Sequence, residues 1–167
     1  MPYRNKTYVA FDGDNDIHYY HLMKAWKQND GFDFNFHDAH DLNQAYDSSQ
    51  EESIKRQLAI RFQNSKLFIL LVGEHTKFLR KFVPWEIDHA IRLKLPIIVV
   101  NLNKNYGVDL NRCPPRLTSC LSLHIPYSPK TIQHAMDVWP AEDHSYRQTN
   151  QNEPCWFKNE ILDRLMQ

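Results

Sequence analysis

Four glycines, three cysteines and no net charge in 167 residues each remove a class of protein. There is no Gly-x-Gly-x-x-Gly and no Walker loop, so the backbone cradles that hold phosphates in ordinary dinucleotide redox enzymes and ATPases are missing. A Gly-x-Ser-x-Gly nucleophile elbow is also absent. Cys113, Cys120 and Cys155 are odd in number and widely spaced, which fits neither a disulfide framework nor a zinc pattern. Twenty basic residues balance twenty acidic ones, leaving none of the basic field that nucleic acid demands. No apolar run reaches the roughly eighteen residues of a membrane span, and Met1 to Lys6 lacks the apolar core of a secretory signal. The expectation is a cytoplasmic protein that contacts neither nucleic acid nor membrane. With abundant aromatics and little glycine, it is ordered and long enough for one domain with a sizeable core.

What is present centres on Leu67 to Asn101. Leu67-Phe68-Ile69-Leu70-Leu71-Val72-Gly73 and Pro96-Ile97-Ile98-Val99-Val100-Asn101 are near-continuous apolar runs, and a helical pattern lies between them. Strands covered on both faces lose polar alternation, so this reads as a parallel strand, a crossover helix and a second strand. Pro84 suits a first helical position, which places Glu86 in the first turn near the carboxyl edge of the sheet. Before this unit, Thr7 to Phe11 predicts a strand and residues 16–28 a helix with Asp16 at its N-cap. Phe32 to His37 alternates strictly, which predicts an edge strand. Ser49-Gln50-Glu51-Glu52 fits a capping box ahead of Ile54, Leu58 and Phe62. After it come a short strand at Leu121 to Ile125, a helix over Ser128 to Val138, a polar loop over 140–154 and a terminal helix from Trp156 to Met166.

This alternation implies an α/β doubly wound sandwich with a mostly parallel five-stranded sheet in the order 2-1-3-4-5. Residues 1–140 form the α/β domain, and 141–167 add a loop and helix packed on it. The switch between the first and third strands would bring Phe11 to Asp16 and Gly73 to Glu86 into one crevice. Phe11, Asp12, Asp38, Phe82, Trp85 and Glu86 are therefore expected to line a single cleft, with Asp38 placed by following the second strand off its end.

Other constellations lead less far. Asp12-Gly13-Asp14-Asn15-Asp16 resembles the start of a calcium loop, but Ile17 and Met23 stand where the loop needs Gly and Glu. A phosphotransferase built on Asp12 would need a Lys and further acidic residues at later strand ends, and Lys104 and Asp109 are poorly placed. A solvated turn that caps a helix accounts for the segment better. His18-Tyr19-Tyr20-His21 and His37-Asp38-Ala39-His40-Asp41 read as solvated surface, so no metal is expected. For Glu86 two readings stay open. The helix dipole stabilises a first-turn carboxylate by about 0.3–1 kcal/mol. Against a purely structural role, Val83 stands where a capping box needs Ser or Thr, and Phe82 and Trp85 supply aromatic faces for a flat ring.

Tyr8-Val9-Ala10-Phe11 with its acidic turn, Leu67 to Thr76, and above all Phe82-Val83-Pro84-Trp85-Glu86-Ile87 followed by Ala90-Ile91 and Pro96-Ile97-Ile98 resemble the TIR-like family of the bacterial Thoeris anti-phage defence type. Ile125-Pro126-Tyr127 and Ile132 to Pro140 are similar to the family's last strand and helix; Lys81 and Phe82 stand where it usually has Ser and Trp. The resemblance implies a flavodoxin-like fold and cleavage of NAD, as substrate and not as cofactor, at the nicotinamide–ribose bond by one glutamate, here Glu86. With that chemistry, the residues expected in the one cleft, Phe11, Asp12, Asp38, Phe82 and Trp85, would bind the substrate, with Phe11, Phe82 or Trp85 stacking on nicotinamide or adenine. The resemblance also implies a cyclic ADP-ribose-type signal, a separate product-sensing effector protein, and self-association through TIR-like surfaces. The alternative in the same superfamily is a non-catalytic assembly module.

Overall fold

The computed structural model describes residues 6–29, 31–32, 36–37 and 51–167. Six strands among them form one sheet in the order β2-β1-β3-β4-β5-β6, and every pairing is parallel. They are β1 (Thr7–Ala10), β2 (Phe36–His37), β3 (Leu67–Val72), β4 (Ile97–Asn101), β5 (Ser122–Pro126) and β6 (Pro154–Trp156). The helices are α1 (Ile17–Asn29), α2 (Glu51–Gln63), α3 (Phe82–Arg92), α4 (Pro129–Gln148) and α5 (Asn159–Leu165). This is the doubly wound, flavodoxin-like α/β fold, with the chain switching direction between β1 and β3.

Burial explains the apolar runs. Every residue of β3 and β4 is buried, because helices cover both faces of these central strands. Alternate residues of β3 feed two cores. Leu67, Ile69 and Leu71 pack with Tyr20, Met23, Met136 and Trp139 beneath α1 and α4. Phe68, Leu70 and Val72 pack with Ile54, Leu58, Phe62 and Ile87 beneath α2 and α3. The strand at Phe36–His37 sits at the edge, as its alternation predicts. Residues 33–35 and the Ser49-Gln50 half of the capping box lie outside the described residues.

Four boundaries differ from the sequence reading. Helix α3 starts at Phe82, so Pro84 is its third residue and Glu86 falls in the second turn. Proline is tolerated there because the first four N–H groups of a helix have no intrahelical acceptor. Helix α4 runs to Gln148, through Pro140 and across the segment read as loop. The lost hydrogen bond at Pro140 is offset chiefly by the fully buried Trp139, while Asp143, also turned inward, is paired one turn on with Arg147 at 2.9 Å. Its N-cap is Ser128, whose side chain accepts from the Thr131 N–H. Finally, Pro154–Trp156 is a sixth strand and the terminal helix begins only at Asn159. Proline is admissible there as the first residue of an edge strand, and a three-residue strand is too short to show a period.

Candidate active site

The inward stripe of α3 consists of Val83, Glu86, Ile87 and Ala90, so helical spacing turns one carboxylate into an otherwise apolar core. Glu86 is 1% exposed. Its Oε1 accepts a hydrogen bond of 2.9 Å from the hydroxyl of Tyr8, on the facing side of β1. Burial, and then the negative charge of Glu86, push the Tyr8 phenol well above its ordinary value. Tyr8 therefore keeps its proton and stays a fixed donor to the carboxylate. The bond returns to this carboxyl group part of the hydrogen bonding it loses on leaving water.

Aromatic rings build the surroundings. Tyr8 stacks on Phe62 with centroids 3.9 Å apart, and Trp85 meets Phe62 edge-on at 6.0 Å. Trp85 also stacks on His89 at 4.9 Å, and His89 lies 4.9 Å from Phe62, so the three rings form one cluster. Burial, and then Arg92, lower the His89 pKa, so the imidazole beside Trp85 favours its neutral form. Phe82 is half-buried against the same apolar cluster.

The expected residues are therefore divided. Phe82, Trp85 and Glu86 share one face of the sheet with Tyr8. Phe11 belongs to the opposite core, its ring stacked on Tyr20 at 4.8 Å, because the period of two along β1 sends it to the other side. Asp12 is 3% exposed and closes the β1–α1 turn, accepting from the Asp14 N–H at 3.1 Å and Asn15 Nδ2 at 2.7 Å. Asp38 lies outside the described residues. A crevice of about 290 Å³ does open at the switch point, and Asp16, Gly73, Glu74 and His75 line it as strand order requires. Phe11, Asp12, Phe82, Trp85 and Glu86 are not in its lining. Sequence reasoning assigned no role to Tyr8. The available signal was a tyrosine in a strand buried at all four positions, since a buried phenol must place its hydroxyl on a partner. Among the described residues no group of three or more His, Cys, Asp or Glu is arranged to hold a metal ion. No helix of those residues is long and apolar enough to cross a membrane.

The strand order and the crossover helix place the chain among doubly wound, flavodoxin-like α/β proteins. Residues 8–106, more than half of the chain, match the family described as Thoeris protein ThsB, TIR-like domain, and the chain belongs to that family. It is thus a TIR-like protein of the Thoeris defence type. The match takes in Tyr8, Glu86 and both aromatic residues beside it, and stops short of β5, α4, β6 and α5.

Proposed function

We propose that this protein consumes NAD by cleaving the bond between nicotinamide and ribose, with Glu86 as the catalytic residue. The observation behind this reading is the buried carboxylate of Glu86, fixed by the Tyr8 hydroxyl and flanked by aromatic rings. In the reaction the C1′–N bond breaks and its electron pair leaves on nicotinamide, which becomes neutral and needs no general acid. The ribosyl fragment passes through an oxocarbenium-like state. A carboxylate held in a low-dielectric setting stabilises that positive charge more than water would. Water adding at C1′ and losing a proton gives ADP-ribose. A nucleophile from the adenosine half, in place of water, gives a cyclic isomer, the form suited to signalling to an effector protein in anti-phage defence. Phe82 and Trp85 offer ring faces for nicotinamide or adenine.

A second reading has its own support. A 1% exposed carboxylate bonded to a core tyrosine also serves as a packing element. Phe78 and Leu110 are 66% and 67% exposed, which leaves apolar side chains on the surface for assembly. Incubating the purified protein with NAD, alone and in a lysate of phage-infected cells, and resolving nucleotides by mass spectrometry separates the two. The expected result is free nicotinamide with ADP-ribose or a cyclic isomer in at least the lysate arm. Unchanged NAD in both arms, with self-association in solution, would favour the assembly module.

A further inference from the structure

The chemistry asked of Glu86 needs a carboxylate, and its place in the fold works against one. The side chain is 1% exposed on a helix face otherwise made of Val83, Ile87 and Ala90. Burial of this kind favours the neutral acid over the anion. A hydrogen bond donated to a carboxylate works the other way, and Tyr8 donates one of 2.9 Å to Oε1.

The phenol is held firmly in that role. Tyr8 is fully buried, stacked on Phe62 of α2 at 3.9 Å and beside Phe68 of the paired strand β3 at 5.9 Å. Other charges on the elements around the pair are sparse among the described residues. Strands β1, β3 and β4 carry none. From α2 the charge of Arg61 reaches Tyr8 and opposes the effect of burial on the phenol. On α3, His89 has Arg92 against its Nδ1 at 2.8 Å. An arginine only donates, so that nitrogen accepts and the imidazole is neutral. Asp88, on the same helix, pairs with Arg116 at the surface. The Tyr8 hydroxyl is thus the group best placed to decide the charge of Glu86.

We propose that Tyr8 is a positioning residue for the reaction: its hydroxyl keeps Glu86 a carboxylate at neutral pH and fixes its orientation. The consequence for catalysis rests on Glu86 being the residue that cleaves NAD; the effect on ionisation does not. Without the hydroxyl, the same buried site would hold the neutral acid over a wider pH range. Fewer molecules could then stabilise a cation at neutral pH, and the deficit would close as pH rises. A tyrosine that served packing alone would leave no such signature, because its loss would lower the rate alike at every pH.

Carbon-13 NMR of protein labelled at its glutamate carboxyls follows Glu86 directly, its resonance being the one missing from Glu86→Gln. In wild type the carboxyl should be ionised at pH 7. In Tyr8→Phe its titration midpoint should move up by about one pH unit or more, the size of a lost hydrogen bond to a charged group. Replacing Tyr8 by 3-fluorotyrosine, a stronger donor of nearly the same shape, should move the midpoint down, and serves where the Phe variant does not fold. The acidic limb of nicotinamide release against pH should move with the midpoint in each variant. A wild-type carboxyl still protonated at pH 7, or one midpoint shared by wild type and both variants, would overturn the assignment. Failure of the NAD reading looks different: no nicotinamide from wild type, with the shifts in the Glu86 titration intact.

Discussion

Glu86 and Asp16 are both carboxylates withdrawn from water, and they are held in opposite ways. Glu86 projects from the middle of a helix face into an aromatic core, where Tyr8 donates to it. Asp16 sits at the rim of the sheet, against a glycine, with basic side chains across an open crevice. The first is preorganised by packing: the ring stack that fixes Phe62 on Tyr8 also fixes the donor on the carboxylate. The second is preorganised by backbone, since Gly73 and the start of α1 shape its place without supplying a donor to Oδ2. One arrangement suits stabilising a charge that develops during reaction. The other leaves one carboxylate oxygen buried, without a donor among the described residues, at the rim of the sheet.

The contrast is sharpest at Tyr8. Replacing Tyr8 by Phe keeps the stack on Phe62 but takes the donor from a buried carboxylate, and should lower stability by about 1–3 kcal/mol in chemical denaturation. A variant as stable as wild type would mean that Glu86 is held by other contacts. Gly73→Ala probes the other side. Its methyl must push the Asp16 carboxylate away, an overpacking that typically costs about 1–3 kcal/mol, with the crevice losing its shape. An unchanged melting temperature would mean that Asp16 moves freely, so that the crevice is not preorganised.

The smallest effect has the opposite sign. The Asp16 pKa is raised in the folded protein, so between its ordinary value of 3.8 and the raised value the native state binds more protons than the unfolded one. Stability from this group therefore falls as pH rises through that window, and the full penalty is present at neutral pH. Asp16→Asn should accordingly raise stability at pH 7 by about 0.5–1 kcal/mol. That gain should shrink to nothing below pH 3.8, as followed by the difference in melting temperature from wild type. A loss of stability at neutral pH would show that the carboxylate is satisfied after all.

Much of this architecture is legible in the residues. Long buried strands such as Leu67–Val72 announce themselves because nothing polar can be afforded on either face. The stripe Ile54, Leu58 and Phe62 fixes α2 for the same reason. What escapes is decided by tertiary contacts. Nothing near Pro140 in sequence states that the Asp143–Arg147 ion pair and a buried Trp139 will carry α4 past it. The site divides similarly. Glu86 stands out by its place on the crossover helix, whereas its partner Tyr8 lies 78 positions away and meets it only when β1 pairs with β3. Phe11 is adjacent in sequence to residues of the expected cleft, yet the alternation of β1 sends it to the other core.

The central claim is that the charge of Glu86, and not its bulk, carries NAD cleavage. Glu86→Gln separates the two, because Gln keeps the size, the place in α3 and an oxygen for the Tyr8 hydroxyl. With wild type and variant triggered side by side and nicotinamide release quantified by mass spectrometry, the account predicts a rate loss on the order of a hundredfold or more. The variant should still unfold in a single cooperative transition. Equal nicotinamide release by both proteins would contradict it, and would leave Glu86 as a buried packing residue of a TIR-like assembly module.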